Sequence, residues 1–339
     1  MVRVLTDNSP CLDNGPMRYL AVRFLQGVLL LFGVSLLSFA FLELAPGDFF
    51  EEMRLNPQIS PSTVARLRAA YGMDRPLPVR YGRWLVSAMR GDFGFSFAYG
   101  SPVAPLLLVR ARNTLLLTGT ATLLAWVVAL PWGVFCAARP GGWLDRGSSL
   151  MTSTLLAIPE LLLGLCFLAI GVRTGWFPAG GMLSASFEDF SRWQQITDLL
   201  WHMVLPVVVL ILGTLPVLLR HVRAALLEVL DAPFIRAALG HGISRRRILF
   251  RHALPAAINP LVSLFGFSLA ALLSGSLLTE VIMSWPGLGP LLLEAVLARD
   301  IYVVVGAVTF STFFLVAGMA LGDLLLFASD PRIRSEALV

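Results

Sequence analysis

The segment from Asp231 to Pro255 reads DAPFIRAALGHGISRRRILFRHALP and separates two long apolar blocks of the chain. Asp231 is its single acidic residue, whereas its positive side chains are those of Arg236, Arg245, Arg246, Arg247 and Arg251. Positive charge concentrates in the cytoplasmic loops of membrane proteins. The segment is therefore expected to be a cytoplasmic connection between two membrane helices.

Two short helices joined by a turn are predicted within this segment. Asp231 can cap the first helix, Pro233 suits its first position, and Gly240 and Gly242 can end it. A serine after the turn can cap the second helix, which must end near Pro255 because proline cannot continue the hydrogen-bond ladder.

The first of these helices also carries an apolar face. Phe234, Ile235, Ala238 and Leu239 fall at helical spacing, whereas Arg236 points elsewhere. Such a small, nearly flat face suits a groove on another protein. The alternative interpretation is a basic loop that only fixes the orientation of the chain in the membrane.

The composition of the whole chain indicates a membrane protein. Hydrophobic residues make up 57% of it and charged residues only 14%, and its mean hydropathy is +0.77. Soluble domains carry about a quarter charged residues. Lipid is therefore the expected solvent for most of this sequence.

All 26 positively charged residues are arginines. A chain without lysine has neither the lysine of a P-loop ATPase nor that of a Schiff-base enzyme. The scattered cysteines and histidines have no metal-binding spacing. No catalytic residue, metal site or cofactor of this chain is predicted, and any ATP hydrolysis must come from a partner. The chain is expected to be surrounded by lipid, and no feature of the sequence indicates that it binds nucleic acid.

Six apolar blocks are long enough to cross a bilayer, namely 24–42, 114–138, 148–172, 199–219, 256–279 and 302–322. The predicted fold is an all-α integral membrane protein with six transmembrane helices. An even number of spans places both termini on one side. The connection 220–255 has seven arginines against two acids, whereas 177–198 has three acids against one arginine. By the positive-inside rule, both termini are expected in the cytoplasm.

The one long hydrophilic stretch follows the first block and is predicted to be a folded extracytoplasmic insert. It offers two helix starts, at Pro61 and Pro78. The chain is divided accordingly into a cytoplasmic tail, a first membrane helix, the insert, a transmembrane core that contains a cytoplasmic loop at 226–255, and a short tail, with bounds 1–18, 19–44, 45–105, 106–334 and 335–339.

Three acidic residues in or near the spans are candidates for a translocation path. Glu160 follows a proline in the third block, where an ionisable group is costly and is expected to face a cavity or a partner. It either contacts substrate, for example a substrate ammonium, or is a protonated or paired group at a subunit interface. Glu280 and Asp323 lie near the ends of the fifth and sixth blocks, where pairing with an arginine or a helix end is favoured over substrate contact.

The sequence from 284 to 289 reads SWPGLG and predicts a tight re-entrant turn outside the membrane. Trp285 suits the boundary between water and lipid, Pro286 favours a turn, and Gly287 and Gly289 permit one.

These motifs together resemble the permease subunits of bacterial ATP-binding-cassette importers, in the branch that transports dipeptides, oligopeptides and nickel. The family's cytoplasmic "EAA" loop has the pattern E-A-A, three residues, G, nine residues, I-x-L-P. Arg236, Ala237 and Ala238, then Gly242, then the sequence HALP reproduce that spacing, with arginine in place of glutamate and histidine in place of isoleucine. SWPGLG and the closing sequence DPRIR at 330–334 are similar to motifs of the same branch.

The resemblance implies a function and a set of partners. The loop would be the coupling helix between membrane helices 4 and 5, docked on an ATPase subunit through Phe234, Ile235, Arg236, Ala237, Ala238, Leu239 and Gly242. A second homologous permease in a heterodimer, two ATPase subunits that bind ATP and magnesium, and an extracytoplasmic substrate-binding protein would complete a bacterial inner-membrane importer. Peptides are the leading substrate, and nickel chelates, glutathione and oligosaccharides are alternatives.

A secondary transporter that works alone is the rival interpretation. Such transporters show internal repeats and paired intramembrane charges, neither of which is evident here. An intramembrane enzyme would need a nucleophile and base or a metal constellation within the spans, and the sequence shows none.

Overall fold

A computed structural model describes residues 15–44, 49–54, 60–70 and 72–329. Parts of three predictions lie outside these residues: the two terminal tails, the DPRIR motif, and the residues that join the first helix to the insert. Within the described residues the chain is almost entirely helical, with one two-stranded antiparallel sheet.

The helices and strands follow in chain order, with bounds α1 Gly15–Leu44, α2 Phe49–Arg54, α3 Pro61–Ala70, α4 Leu77–Ala88, β1 Phe95–Ser96, β2 Ser101–Pro102, α5 Val103–Ala138, α6 Trp143–Ala157, α7 Glu160–Thr174, α8 Arg192–Leu230, α9 Pro233–Gly240, α10 Arg245–Ile248, α11 Leu254–Ala256, α12 Ile258–Gly275, α13 Leu277–Ile282, α14 Leu288–Leu297 and α15 Ile301–Ser329. A π-helical turn at Leu249–Ala253 joins α10 to α11.

Four helices among the described residues are long and apolar enough to cross a membrane, and the count rises to six if each of two bent pairs is one span. The first bent pair is α6 and α7, which meet at 95°, and the second joins the stretch Arg245–Ala256 to the start of α12 at 57°. Large apolar side chains remain exposed along these helices, as expected for surfaces that face lipid.

The 95° bend divides the third span that hydropathy indicates for 148–172 into two helices. Ile158 is extended, and Pro159 stands at the N-cap of α7. Proline disfavours a helical conformation of the residue before it, and its ring cannot follow a helical turn without losing a hydrogen bond. Apolarity is therefore continuous through this region, whereas the helix is not.

Small residues let the long helices approach each other. A Cβ placed on Gly266 of α12 would lie 2.5 Å from the Cα of Gly322 of α15. A Cβ on Gly133 of α5 would lie 2.6 Å from Cγ1 of Val222 of α8. Close backbone contact through small residues is how membrane helices gain packing energy without help from water.

The insert packs on the C-terminal part of α1 and the N-terminal part of α15. Tyr81 and Trp84 of α4 are buried against Phe39 of α1 and Val305 of α15. The hydroxyls of Tyr81 and Ser35 lie 3.0 Å apart. The predicted helices of the insert agree with α3 and α4, of which the second starts one residue before Pro78.

A second attachment joins the insert to the loop before α15. The Ser96 hydroxyl donates to Oδ2 of Asp300 at 2.7 Å, and the Ala98 N–H donates to the same oxygen at 3.0 Å. The Tyr99 hydroxyl donates to the carboxylate of Glu294 in α14. Burial and this carboxylate raise the pKa of Tyr99 to about 12, so the phenol keeps its proton across the physiological range.

Candidate coupling and translocation sites

The predicted coupling segment is a compact helical hairpin at the end of α8. Pro233 is at the first position of α9, as predicted, and α9 ends at Gly240. Gly242 has φ +77°, a conformation that glycine adopts without strain. The predicted cap is wrong: Asp231 is the C-terminal cap of α8, and Ala232 occupies the N-cap of α9 without a side-chain hydrogen bond.

The apolar residues of α9 do not share one outward face. Ile235 is 1% exposed and packs on Ile248 and Ala253, whereas Phe234 is 52% and Leu239 42% exposed. The prediction of a single outward face is therefore wrong for Ile235. Its side chain instead fixes α9 to the π-helical turn that leads into α12.

The segment that carries the exposed Phe234 and Leu239 is also rich in exposed positive charge. The side chains of all five arginines in this segment are exposed, namely Arg236, Arg245, Arg246, Arg247 and Arg251. Ala237 and Gly242 are exposed as well, and Ala238 is half-buried beside Ile235. The exposed surface of the segment consequently includes three large apolar side chains, those of Phe234, Leu239 and Phe250, together with five arginines.

An ion pair joins α8 to α6 just before this hairpin, and the sequence did not indicate it. Arg223 of α8 binds Asp145 of α6 with both ends of its guanidinium, at 2.5 Å for Nε and Oδ1 and 2.9 Å for Nη2 and Oδ2. The Gly141 N–H donates to Asp145 at 2.8 Å. Bidentate pairs of this kind fix geometry as well as adding energy. Nothing in the spacing of the two residues in sequence would have revealed the pair.

The turn 284–289 is organised by Glu280, which is 0% exposed. Its Oε2 accepts the Gly289 N–H at 2.8 Å and its Oε1 accepts the Ser276 hydroxyl at 3.2 Å. The Leu288 N–H donates to Oγ1 of Thr114, in α5, at 2.8 Å. The Gly289 N–H belongs to the first turn of α14, so Glu280 pairs with a helix end, which is one of the two structural roles that the sequence favoured. Its carboxylate closes the re-entrant turn.

Trp285 is buried within the protein, so the prediction that it lies at the boundary between water and lipid is wrong. The side chain is 0% exposed, and its Nε1 donates to the carbonyl of Asn113 at 3.0 Å. The Asn113 amide in turn donates to the carbonyl of Pro286 at 2.9 Å. The tryptophan therefore fastens the turn to α5.

Glycine is required at both positions of the turn because atoms of α13 lie close to the two Cα atoms. Neither Gly287 nor Gly289 has a positive φ. A Cβ on Gly287 would meet the Glu280 carboxylate, and one on Gly289 would lie 2.8 Å from the Cα of Leu277. Any larger side chain would therefore separate the turn from α13.

We expect Gly289→Ala to lower the thermal stability of the purified protein, because overpacking costs about 1–3 kcal/mol. Gly213→Ala is the matched control, since Gly213 is in α8 with open space around its Cα and alanine favours a helix. Thermal unfolding in detergent, followed by size-exclusion chromatography, measures both. Equal midpoints for Gly289→Ala and the wild type would contradict the close approach.

Glu160 lies next to this turn. It begins α7 after the 95° bend and is half-buried. Its Oε1 accepts the hydroxyl of Thr279 at 2.7 Å, and Thr279 is the neighbour of Glu280 in α13. The structure thus brings Glu160 and Glu280 into one region and links them through α13.

Asp323 lies elsewhere. Its Oδ2 is 3.1 Å from Nε of Arg23, so the acid of α15 pairs with an arginine of α1. This is the arginine pairing that the sequence favoured over substrate contact. It separates Asp323 from the region of Glu160 and Glu280.

Comparisons with known proteins agree along nearly the whole chain. Residues 129–335 match the family described as "Binding-protein-dependent transport system inner membrane component", and residues 16–118 match the one described as "Binding-prot-dependent transport system membrane comp, N-term". The oligopeptide transport system permease protein AppB of Bacillus subtilis (strain 168) is 35% identical over 319 residues, which cover 93% of this chain and 98% of AppB.

Another relative and one solved structure extend the comparison. The dipeptide transport system permease protein DppB of Escherichia coli (strain K12) is 34% identical over 323 residues, covering 90% of this chain and 95% of DppB. A chain of the inward-facing MetNI methionine ABC transporter, CY5 native crystal form, aligns with a TM-score of 0.54 at 21% identity, covering 66% of this chain and 96% of that one. The similarity to the MetNI chain shows a shared fold.

Proposed function

This chain belongs to the binding-protein-dependent transport system inner membrane component family, and on that premise we propose that it forms half of the pathway by which an ATP-driven importer carries peptides across the membrane. It is a multi-pass inner-membrane permease and not itself an enzyme. The observation that carries the peptide assignment is the match, over 90% or more of the chain, to permeases named for oligopeptide and dipeptide transport.

The family implies ATPase and substrate-binding partners. We further propose two ATPase subunits, which bind ATP and magnesium, and one homologous but different permease. Both termini and α9 would lie in the cytoplasm, and the insert would lie outside, near the binding protein. The exposed Phe234 and Leu239, together with the exposed arginines of the same segment, support an ATPase groove that has both apolar and acidic side chains.

Motion of α9 would reach the membrane helices through two contacts. Ile235 packs against Ile248 and Ala253, which lead into α12. Val229 and Leu230, at the end of α8, pack in the same cluster. When ATP closes the ATPase pair, the hairpin would follow its groove as one body and tilt α8 and α12 together. Nucleotide then favours one of two states of the pathway because the ATPases bind that state better.

The region around Glu160 is the proposed lining of the pathway. α7 starts there at a break in the helix, and in membranes such breaks persist where a cavity or a neighbouring helix satisfies the backbone. Peptides carry a terminal ammonium, which the half-buried carboxylate of Glu160 could bind. Thr279 would hold that carboxylate in place through its 2.7 Å hydrogen bond.

We expect Glu160→Gln to slow peptide uptake by roughly tenfold or more, because it removes a charge-assisted contact. The glutamine carbonyl still accepts the Thr279 hydroxyl, so the fold is retained. Uptake kinetics of a labelled tripeptide measure the effect. Glu188→Gln is the control, because Glu188 is an exposed acid of the loop before α8. Wild-type kinetics for Glu160→Gln would leave Glu160 a structural partner of Thr279.

Uptake by a deletion strain tests the function itself. The native host without this chain is expected to lose import of labelled di- and tripeptides and to regain it when the chain is restored on a plasmid. Unimpaired peptide uptake, together with lost import of a nickel chelate, of glutathione or of an oligosaccharide, would overturn the peptide assignment.

A further inference from the structure

A pocket of about 200 Å³ lies where the insert meets the start of α15. Its wall includes three arginines, one aspartate and three aromatic residues, namely Arg75, Arg80, Arg83, Asp92, Trp84, Phe95 and Tyr302. It is separate from the turn 284–289 and from the coupling hairpin. Its cationic groups outnumber its acidic one.

Arg80 is the buried member of this set. It is 7% exposed, and its Nη1 donates to Oε2 of Glu43 at 2.7 Å. The guanidinium carbon lies 5.6 Å from the centre of the Phe39 ring. The other two nitrogens, Nε and Nη2, are buried and have no hydrogen-bond acceptor within the described parts of the chain. A buried cationic donor without an acceptor is costly, and such a group in a pocket wall indicates a ligand with anionic oxygens.

The other two arginines that line the pocket, Arg75 and Arg83, are exposed. Arg83 follows Arg80 by three residues in α4, so both side chains point to one side of the helix. Arg75 is in the turn before α4, with its Nε near the backbone of Gly72. No ion pair to either occurs in the stretches the structure describes. They can therefore turn toward a bound anion.

We propose that this pocket binds a carboxylate. Guanidinium groups bind carboxylates through paired N–H donors, and three arginines line this pocket. Asp92 in the wall and Glu43 behind Arg80 reduce the positive charge, which favours a singly charged group over a phosphate. The Trp84 and Tyr302 rings give the carboxylate an apolar support for the carbon chain that carries it.

The carboxylate has two possible sources, and naming them rests on the proposed function. It is either the C-terminus of a peptide on its way into the pathway, or an acidic side chain of the substrate-binding protein docked on the insert. A 200 Å³ pocket holds the end of one residue in either case. The chemistry that it recognises is the same.

Labelling of arginine with phenylglyoxal tests the pocket without any transport assay. The purified full-length chain is labelled in sodium acetate and in sodium chloride of equal ionic strength, and modified residues are quantified by mass spectrometry. We expect acetate to slow labelling of Arg75 and Arg83 severalfold and to leave Arg90, an exposed arginine just beyond α4, unchanged. Equal rates at Arg75 and Arg83 in the two salts would overturn the proposal.

The double substitution Arg75→Gln and Arg83→Gln identifies the source, with Arg90→Gln as control. If the source is the peptide, the wild type imports a tripeptide faster than its C-terminally amidated form, and the double variant loses about tenfold of that preference. If the source is the binding protein, the affinity of that protein for the importer embedded in nanodiscs is about tenfold lower with the double variant and unchanged with Arg90→Gln.

A double variant that keeps both the preference and the affinity contradicts the proposal even if labelling is slowed. A wild type that imports no peptide would refute the proposed function instead, while the labelling result would still decide whether the pocket binds a carboxylate.

Discussion

Replacing Phe234 or Leu239 with aspartate is expected to abolish ATP-driven uptake while the membrane domain stays folded. Both side chains are exposed, at 52% and 42%, so aspartate is solvated in the isolated chain. On docking, the new charge would be buried in an apolar groove, which costs at least about 3 kcal/mol, or on the order of a hundredfold in affinity. Uptake and ATPase activity of the reconstituted complex measure the loss of coupling.

Two controls make this test specific. Phe234→Leu keeps an apolar side chain at the same position and is expected to support uptake. Ile235→Asp buries a charge inside the hairpin, where the native side chain is 1% exposed, and is expected to impair folding as well as uptake. Normal peptide import by Phe234→Asp and Leu239→Asp would remove α9 as the coupling element.

Glu280→Ala is expected to destabilise the protein by roughly 3–5 kcal/mol, because it leaves a buried N–H without an acceptor and opens a cavity. The N–H of Gly289 loses its 2.8 Å contact, and the Ser276 hydroxyl loses its acceptor as well. With the turn 284–289 released from α13, uptake should fall too. Thermal unfolding and uptake are measured on the same preparation.

Glu280→Gln is the matched control for this substitution. Its carbonyl oxygen can still accept the Gly289 N–H, and its amide group can donate to the hydroxyl of Ser276 or Thr114. We therefore expect a smaller loss of stability than in Glu280→Ala. An alanine variant as stable as the wild type would show that the turn is held by the Trp285 and Thr114 contacts and does not need the carboxylate.

The local features of the coupling hairpin could be predicted from sequence. Pro233 at the start of α9 and Gly242 after its end act through the φ angles that these residues allow, and these preferences do not depend on the rest of the fold. The inward side chain of Ile235 could not be predicted. Its direction depends on how α9 folds back on Ile248 and Ala253, which helical periodicity within α9 does not reveal.

The turn 284–289 shows the same limit at longer range. Its glycines predicted a tight turn, which the structure has. Trp285 is buried because it packs against apolar residues of α5 and α8, such as Leu117 and Leu210, and its N–H is accepted by Asn113, which is 172 residues away in sequence. The preference of tryptophan for the lipid boundary decides its position only when no residues distant in sequence bury it. The pairing of Glu280 with a helix end was predicted, but its individual partners could not be, since they are a hydroxyl and a backbone N–H that no charge pattern marks.

The third span illustrates what hydropathy leaves out. Hydropathy predicts one span over 148–172, and Pro159 predicts an interruption within it, but neither gives the angle of the break. The structure has a 95° bend at Ile158 and Pro159, which places Glu160 at the start of a new helix beside Thr279. Glu160 could be identified as a candidate from the sequence because an acidic residue is costly in lipid. Its contact with Thr279 could not be predicted, because that contact depends on the bend.

The most direct measurement of the central claim is affinity purification of this chain from its native membrane in mild detergent, followed by mass spectrometry and an ATPase assay of the eluate. The account predicts that ATPase subunits and a second permease accompany the chain and that the eluate hydrolyses ATP. A chain that elutes alone and without ATPase activity, even after extraction in native lipid, would contradict it and would favour a transporter that works on an ion gradient.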